Sequence, residues 1–334
     1  MTETPPRVSV VICTHNPDNA LLSEVIAAIG AQADAPSYEV ILVDNCSNLP
    51  VDPGILQVAG GEYQTCIREP ALGLSQARKA GIEAASAELI CFVDDDNILA
   101  LDYLAEAVRI ATEEPELGVF GGRSLGRFAS PPGWLCRHFI ARYAIREEAA
   151  PVTMTRPERH SRGTEPFGAG MIVRRPLAQA FADLVRAFDM DLPMGRKGGA
   201  LGSGEDSLFS RIAYEAGYAA GYRPSLVLHH VITRERLRWP YLARLLEGQA
   251  EGEALLDAMD GIAAPIQGDA SRSHLARRAA RFARRFITVG PAEAIGLYFW
   301  DRGYNARSVE AKVVAERISS LIGRTRPNSP RMSA

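Results

Sequence analysis

The amino-acid sequence predicts an α/β fold, in which a doubly wound, mostly parallel sheet is flanked by helices and followed by a helical C-terminal extension. Short apolar runs rich in β-branched residues alternate with segments of helical periodicity, which is typical of strands covered on both faces. Beyond about Leu237 the pattern is wholly helical. A length of 334 residues with 47% hydrophobic residues allows two domains, which we expect to span residues 1–236 and 237–334.

The first part of the chain predicts two β-α-β units. The run VSVVIC ends in a turn cluster, and the later runs YEVILV and LICFV likewise end in polar residues. The predicted strands lie at 8–13, 38–43, 65–68 and 89–93, and the predicted helices lie at 19–32 and 72–85. Alternation of this kind favours a parallel sheet with helices on both faces.

The second part of the chain predicts fewer strands and one long irregular segment. We expect strands at 117–122 and 167–173, helices at 176–188 and 205–217, and a strand-like run at 225–228 that ends before two histidines. The segment 122–165 is rich in arginine and aromatic residues and shows no clear periodicity. Long loops beside an α/β ligand site often act as lids, so we predict that role for this segment.

Composition and short motifs argue against several classes of protein. Five cysteines without a C-x-x-C pair argue against a disulfide framework and a thiolate zinc site. The N-terminus lacks the pattern of a signal peptide, and no stretch is long and apolar enough to span a membrane, so we expect a cytoplasmic protein. Neither G-x-G-x-x-G nor G-x-x-x-x-G-K-[ST] occurs, which argues against a dehydrogenase and a P-loop enzyme.

Polar residues follow three predicted strands at the point where each strand ends. These clusters are Thr14-His15-Asn16, Asp44-Asn45 and Asp94-Asp95-Asp96. Doubly wound sheets bind their ligands beside the carboxyl ends of the strands. The carboxylates of the acidic triplet repel one another unless a cation neutralises them, and carboxylate oxygens suit Mg²⁺ or Mn²⁺. The alternative is a solvated acidic turn that caps a helix.

The sequence resembles glycosyltransferase family 2 across roughly residues 7–235. Four stretches carry the resemblance: VSVVICTHN, ILVDN, LGLSQARKAGIEAASAELICFVDDDN and GSGEDSLFSRIAYEAGY. The resemblance implies a GT-A fold and an inverting transfer of a sugar from a nucleotide-diphosphate sugar to an acceptor hydroxyl. The donor would be a UDP, GDP or dTDP sugar, and the reaction would belong to polysaccharide or glycolipid biosynthesis.

The resemblance assigns donor-binding roles to five residues in the first part of the chain. Thr14 and Asp44 would contact the base and the ribose, and Arg78 would lie under the nucleotide. Asp94 would face the ribose, and Asp95 would belong to the same donor site. Two alternatives stay open, namely that Thr14 only caps a turn and that Arg78 is an exposed helix residue.

The resemblance also implies a divalent metal ion, Mn²⁺ or Mg²⁺. Asp96 would hold the ion that bridges the two phosphates, because a bound cation stabilises the negative charge that grows on the leaving diphosphate. His230 would be a further metal ligand, and it matches this position better than His229. The alternative is that a histidine at a strand end is purely structural.

Gly204-Glu205-Asp206 supplies a second acidic site at the start of a predicted helix. Inversion requires a base opposite the diphosphate, and the resemblance assigns that role to Asp206, with Glu205 in the nucleotide-sugar site. Acidic residues at a helix N-terminus are also favoured by the helix macrodipole, which is the alternative explanation. Gly170 would let the backbone approach the donor sugar, or would simply allow close packing.

Trp134 is the candidate on the acceptor side. It lies in the irregular segment 122–165, and tryptophan faces commonly stack on sugars, so we expect it near a saccharide or lipid-linked acceptor.

The C-terminal part of the chain is strongly basic. Residues 271–334 hold 13 Lys and Arg against 4 Asp and Glu. Leu275, Ala279, Phe282 and Phe286 recur at helical spacing among arginines, which predicts an amphipathic helix on an anionic membrane surface. The equal alternative is a helix that packs on the catalytic domain, with its arginines solvated or paired.

Two other functions stay open from the sequence. A nucleotidyltransferase shares the architecture and the metal-carboxylate chemistry, but the first strand is not followed by a glycine-rich, basic phosphate loop. A non-catalytic binding protein could retain the same fold. Nucleic acid is not an expected partner, because no recognised binding module accompanies the basic charge.

Overall fold

The structure of the protein, a computed structural model, describes residues 6–156, 165–188, 192, 194–262 and 282–324. Its strands are β1 (Val8–Thr14), β2 (Tyr38–Asn45), β3 (Tyr63–Glu69), β4 (Leu89–Asp94), β5 (Asn97–Leu99), β6 (Leu117–Phe128), β7 (Val152–Met154), β8 (Met171–Arg174), β9 (Arg196–Lys197), β10 (Ala200–Leu201) and β11 (Ala219–Ile232). Its helices are α1 (Asn19–Gly30), α2 (Leu74–Ala84), α3 (Tyr103–Glu113), α4 (Trp134–His138), α5 (Arg175–Ala187), α6 (Glu205–Glu215), α7 (Trp239–Met259) and a C-terminal helix (Pro291–Arg324). Short 3-10 helices lie at Pro53–Val58 and Ile140–Tyr143.

One mixed sheet dominates the described residues. Its strand order is β3-β2-β1-β4-β8-β6-β11-β5, and β7 pairs with β11 away from this path. The six long strands all run in the same direction, because β6 is antiparallel to β8 and β8 is antiparallel to β4. Only the short strands β5, β7 and β8 run the other way. The predicted fold class, a mostly parallel sheet flanked by helices, is confirmed.

Apolar side chains cover both faces of the sheet, as the β-branched runs require. In β1, Val11 and Cys13 point into a core that includes α2, α5 and α6. Val10 and Ile12, at the alternate positions, point into the opposite core with α1 and α3. This alternation is the period of two of an extended strand, and burial of both sets explains why the run is apolar throughout.

The expected strand at 167–173 is wrong in its first four residues, because β8 begins only at Met171. Gly170 has a φ of 70°, a left-handed conformation that ends the extended backbone. Its carbonyl accepts a hydrogen bond from the Tyr103 hydroxyl at 2.5 Å. A Cβ at this position would lie 2.4 Å from the same hydroxyl oxygen, so Gly170 is closely packed, and its predicted approach to the donor sugar stays a prediction.

The segment 122–165 is more regular than its sequence indicates. β6 continues to Phe128, and α4, a 3-10 helix and β7 follow before residue 157. The two histidines also differ from the expectation, since His229 and His230 lie within β11 and do not follow a shorter strand. β6 and β11 pair over most of their length, and that pairing extends both strands.

The C-terminal part is helical, as predicted, in the residues that the structure describes. α7 and the C-terminal helix pack together, and the C-terminal helix also contacts α5 and α6. Ala311, Ile318 and Ile322 belong to the same buried core as α5. The expected amphipathic helix lies outside the described residues before Phe282, and the domain boundary at 236 stays a prediction. Among the described helices, none combines the length and hydropathy of a membrane-spanning segment.

Candidate functional site

The carboxyl ends of β1, β2 and β4 lie side by side at one edge of the sheet. In the strand register Thr14 is opposite Asp44, and Cys13 is opposite Asp94. The strand order reverses its direction at β1, because β2 and β4 lie on opposite sides of it. The helical connections to these two strands run over opposite faces of the sheet. Such a topological switch point leaves a crevice between neighbouring loops, which is the usual ligand position in this class of sheet.

Thr14 joins the first strand to the acidic triplet. Its hydroxyl donates a hydrogen bond of 2.5 Å to Oδ2 of Asp95. Burial and the neighbouring Asp96 raise the pKa of Asp95 to about 6, and the Thr14 hydrogen bond acts in the opposite direction. The carboxylates of Asp95 and Asp96 repel each other at this separation, and a nearby positive charge allows both to stay ionised. Their proximity therefore favours a cation at this edge.

Asp96 is the most deeply buried acid of the triplet, with an exposed fraction of 4%. Its Oδ2 lies 2.5 Å from Nη1 of Arg236, and its Oδ1 accepts a hydrogen bond of 2.9 Å from the Asn97 amide. Burial raises the pKa of Asp96, but His230 and Arg236 outweigh that effect and hold it well below its usual range. Asp96 is therefore a carboxylate that stays charged inside the protein.

His230 lies beside Asp96 because of the pairing between β5 and β11. His230 is opposite Asn97 in that register, and the Val231 N–H donates to the Asp96 carbonyl. Nε2 of His230 lies 3.5 Å from Oδ1 of Asp96, and Nδ1 is buried without a hydrogen-bond partner in the described part of the chain. The imidazole is thus turned toward the carboxylate and fixed there by the sheet.

These two residues fit part of a metal site. Nowhere do the described residues bring together three or more His, Cys, Asp or Glu side chains that could hold a metal ion. Mg²⁺ in nucleotide-binding proteins is, however, commonly held by one or two carboxylates and the substrate phosphates. Asp96 and His230 supply an oxygen and a nitrogen ligand on one side, so the donor set suits an ion that arrives with a diphosphate.

Asp44 has a structural task in addition to its predicted contact with the donor. Its two carboxylate oxygens accept backbone hydrogen bonds from Ser47 at 3.1 Å and Val51 at 3.2 Å. Burial raises the pKa of Asp44, but these hydrogen bonds and the Arg68 charge lower it below its ordinary value. The carboxylate fixes the loop after β2, and its donor-binding role stays a prediction.

Arg78 and Glu205 form a buried ion pair beneath the site. Nη1 of Arg78 lies 3.1 Å from Oε1 of Glu205, and the two side chains are 4% and 3% exposed. Glu205 also accepts a hydrogen bond of 2.9 Å from the Ser75 hydroxyl, and the Arg78 guanidinium lies 5.3 Å from the Phe92 ring centroid. Arg78 is therefore not an exposed helix residue. This pair ties α2 to α6, and donor contact by either residue stays a prediction.

Asp206 follows Glu205 at the start of α6 but is partly exposed. Its Oδ2 accepts a hydrogen bond of 3.2 Å from the backbone N–H of Gly168. Asp206 and Asp94 both interact electrostatically with the Arg78 guanidinium, so the acids from α6 and β4 approach the same cation. The structure thus brings the second acidic site next to the strand-end site.

Trp134 lies at the start of α4 and is 57% exposed. The residues after it are not a free loop, because Cys136, Tyr143 and Ile145 pack with α7 in a separate buried cluster. His138 contacts Glu293 of the C-terminal helix at 3.0 Å. The predicted acceptor candidate therefore projects from a segment that is anchored to the C-terminal helices.

Sequence reasoning missed Arg236, which is the closest cation to Asp96. It lies six positions after His230, in the run RERLR. Burial lowers the pKa of Arg236, but the neighbouring Asp96 carboxylate outweighs this effect and raises it. The guanidinium therefore stays charged. The only signal was a cluster of arginines directly after a strand that carries a candidate metal ligand.

Fold and site together define a doubly wound α/β protein with an acidic strand end at the switch point of the sheet, where such sheets usually bind their ligands. The family model described as "Glycosyl transferase family 2" matches residues 9–180. The chain belongs to glycosyl transferase family 2, and the resemblance read from the sequence is confirmed. Membership favours a transferase over the nucleotidyltransferase and binding-protein alternatives.

Relatives agree with this assignment. An N-acetylglucosaminyltransferase of Bradyrhizobium diazoefficiens is 24% identical over 284 residues, which are 78% of this chain and 55% of the relative. An uncharacterized protein, y4gI, of Sinorhizobium fredii is 33% identical over 114 residues, or 33% of this chain and 12% of the relative. The chain thus spans about half the length, or less, of these curated relatives.

Among solved structures, the chain is similar to residues 1–349 of S. aureus TarS in complex with UDP, with 15% sequence identity and a TM-score of 0.48. That match covers 94% of this chain and 91% of the other.

Proposed function

We propose that the protein is a metal-dependent inverting glycosyltransferase that uses a nucleotide-diphosphate sugar in glycan biosynthesis. The observation that carries the proposal is the meeting of Thr14, the acidic triplet and His230 at the switch point of the sheet. A diphosphate bound at this edge would face Asp96, His230 and Arg236, which provide metal ligands and one fixed positive charge. Family membership supports the same reading.

The leaving group requires charge stabilisation. In a single displacement the acceptor oxygen attacks the anomeric carbon, the bond from that carbon to the phosphate oxygen breaks, and the electron pair stays on the diphosphate. A divalent ion held by Asp96 and His230 would stabilise that negative charge when bound. Arg236 adds a charge that no pH change in the working range removes, since guanidinium groups stay protonated in proteins.

Asp206 is the proposed general base. The acceptor hydroxyl must lose its proton as it attacks, and a carboxylate on the opposite face of the sugar from the diphosphate can take it. Asp206 is partly exposed, is oriented by the Gly168 N–H, and lies near the same Arg78 guanidinium as Asp94. Glu205 does not suit this role, because it is buried and paired with Arg78.

The proposed donor sugar rests on the names of the relatives, and the proposed position of the acceptor rests on one exposed aromatic side chain. We propose N-acetylglucosamine as the first donor sugar to test, because several relatives carry the name N-acetylglucosaminyltransferase. The nucleotide would be UDP, GDP or dTDP. We place a saccharide or lipid-linked acceptor on the side of Trp134, whose exposed indole offers a stacking surface.

A thermal-shift screen tests the donor site. Each of UDP, GDP, dTDP and their sugar conjugates is added with Mn²⁺, with Mg²⁺ or with EDTA. A ligand at 100 times its Kd stabilises the folded state by about 2.7 kcal/mol, so one nucleotide should give a clear shift that EDTA reduces. The variant Asp96→Asn should lose the metal-dependent part of the shift.

Release of nucleoside diphosphate from the best donor, with and without candidate acceptors, then tests transfer. A shift without any release or transfer would support a binding protein instead. The absence of any nucleotide-dependent shift would overturn the proposed function altogether.

A further inference from the structure

Three apolar side chains project into solvent just before the C-terminal helix, two of them in a helical segment that includes residues 282–288 and one in the turn that follows it. Phe286, Ile287 and Val289 are 48%, 85% and 50% exposed, and we call them the apolar tip. Single exposed apolar residues are ordinary on protein surfaces, whereas here three lie within four positions of the chain. A patch of this kind indicates a surface that is covered by something other than water.

Packing against the rest of the protein holds the apolar tip in place. The Phe282 ring contacts Phe286 at a centroid distance of 6.3 Å and meets Tyr298 edge-on at 6.0 Å. Arg285 forms an ion pair of 2.8 Å with Asp301, one turn further along the C-terminal helix than Tyr298. The tip is therefore presented on a packed base, and its exposure belongs to the folded protein.

The chain that leads to the apolar tip is basic, and the first acid after the tip is Glu293, which lies against His138. Residues 271–292 include six arginines and no Asp or Glu. Arg284, next to the tip, is exposed, whereas Arg285 is neutralised by Asp301. Each basic residue near an anionic bilayer contributes attraction within a Debye length, and apolar side chains at the same place can enter the headgroup region.

Aromatic contacts connect the base of the apolar tip to the start of α7. Trp239, which is 39% exposed, packs edge-on against Phe299 at 4.9 Å. Tryptophan is favoured at membrane interfaces, because its ring is apolar while its N–H remains near water. Trp239 follows Arg236, the partner of Asp96, by three positions in the chain.

We propose that the apolar tip docks the protein on an anionic lipid bilayer, with Phe286, Ile287 and Val289 in the headgroup region and the exposed Arg284 against lipid phosphates. The charge of this region is complementary to anionic lipid, whereas a purely apolar protein partner would not require the excess of arginines. This inference is independent of the proposed glycosyl transfer.

Co-sedimentation of the full chain with lipid vesicles tests the proposal. Vesicles of phosphatidylcholine alone are compared with vesicles in which about one lipid in three is the anionic lipid phosphatidylglycerol. We expect binding to the anionic vesicles that falls as salt is raised. The variant Ile287→Asp should weaken the partition coefficient at least tenfold, because an apolar contact is lost and a negative charge is introduced.

Val313→Asp is the matched control. Val313 lies on the same C-terminal helix and is 72% exposed, but it is 24 positions from Val289. This variant should bind anionic vesicles as the unmodified protein does, and circular dichroism should show equal helix content in both variants. Nucleotide-dependent thermal shifts should remain unchanged in both, which separates docking from the donor site.

Three results would overturn the proposal. The first is the absence of binding to anionic vesicles by the unmodified protein. The second is equal loss of binding in Ile287→Asp and Val313→Asp. The third is a dimer, seen by light scattering, that Ile287→Asp converts to monomer without any vesicle binding, since the apolar tip would then contact a second copy of the chain.

Discussion

The Asp96 carboxylate and the Arg236 guanidinium form an ion pair, with 2.5 Å between Oδ2 and Nη1. The same Nη1 lies 3.3 Å from Nε2 of His230, so one cationic nitrogen contacts both proposed metal ligands. A divalent ion at Asp96 must therefore compete with Arg236 for the carboxylate. Arg236 keeps the buried acid neutralised in the absence of the ion.

Replacing Arg236 with Gln should increase the affinity for Mn²⁺ in the absence of nucleotide. The competing cation is removed from Asp96, and we expect a gain of about fivefold to tenfold, which corresponds to about 1–1.4 kcal/mol. Titration of free Mn²⁺ by electron paramagnetic resonance measures it. Arg234→Gln, at an exposed position of the same run, is the control. Equal Mn²⁺ affinity in both variants would contradict the competition.

Replacing Asp206 with Asn should remove turnover while donor binding is retained. Loss of a general base typically lowers the rate by about 10²–10⁴. The rate is measured as release of nucleoside diphosphate, and donor Kd by calorimetry. Glu215→Gln, at the exposed end of α6, should leave both values unchanged. Unchanged turnover in Asp206→Asn would remove this residue from the mechanism.

Replacing Arg78 with Met should strongly destabilise the protein. Glu205 would be left as a buried, unpaired carboxylate, which costs about 3–5 kcal/mol in typical cases. The double variant Arg78→Met/Glu205→Leu should be less destabilised, because both charges are removed together. Urea unfolding measures each free energy.

The control for this pair is Arg186→Met. Arg186 is 56% exposed and pairs with Glu83 and Asp183 at the surface, so its loss should cost less than about 1 kcal/mol. A similar decrease in the free energy of unfolding for Arg78→Met and Arg186→Met would contradict the predicted cost of leaving Glu205 buried without its partner.

Glu114 should make stability dependent on pH in the acid range. Arg223 donates to Glu114, with 2.7 Å between Nε and Oε1, and this hydrogen bonding lowers the pKa of Glu114 below its ordinary value of 4.5 although burial opposes it. A lowered pKa in the folded state stabilises the protein above pH 4.5, and that contribution is lost as the pH falls through the lowered pKa.

The comparison is between the unmodified protein and Glu114→Gln in urea unfolding at several pH values. The unmodified protein should be more stable at pH 7, and the difference should shrink below about pH 4.5. Glu113→Gln is the matched control, since Glu113 is 58% exposed and pairs at the surface with Arg109. A difference for Glu114→Gln that stays constant down to pH 3 would contradict the linkage.

The sequence predicted the first four long strands well, because burial on both faces demands an uninterrupted apolar run. Val8 to Thr14 is wholly buried, and its polar end coincides with the end of the strand. Strands of two or three residues, such as Arg196–Lys197 and Val152–Met154, were missed. They are too short to show a period, and they exist because a neighbouring strand or turn supplies their pairing partner.

Tertiary pairing also explains the error at the histidines. In β11, His229 is exposed and His230 is buried, so the strand continues with a period of two through two polar residues. Local sequence suggests an end at Leu228, but pairing with β6 overrides it. Arg236 could not be predicted for a related reason, since its position against Asp96 depends on contacts between residues 140 positions apart.

Ala311, Ile318 and Ile322 complete the core that also contains Phe181 and Ile212. These three side chains leave the ribosome after every strand of the sheet has been synthesised. Until then, Leu255 and Leu256 of α7 cover only part of the apolar surface of α5 and α6, and partly exposed cores of this kind are prone to aggregate. Expression of shortened versions that lack the C-terminal helix is therefore expected to give insoluble protein, even though the strands and the candidate site precede that helix.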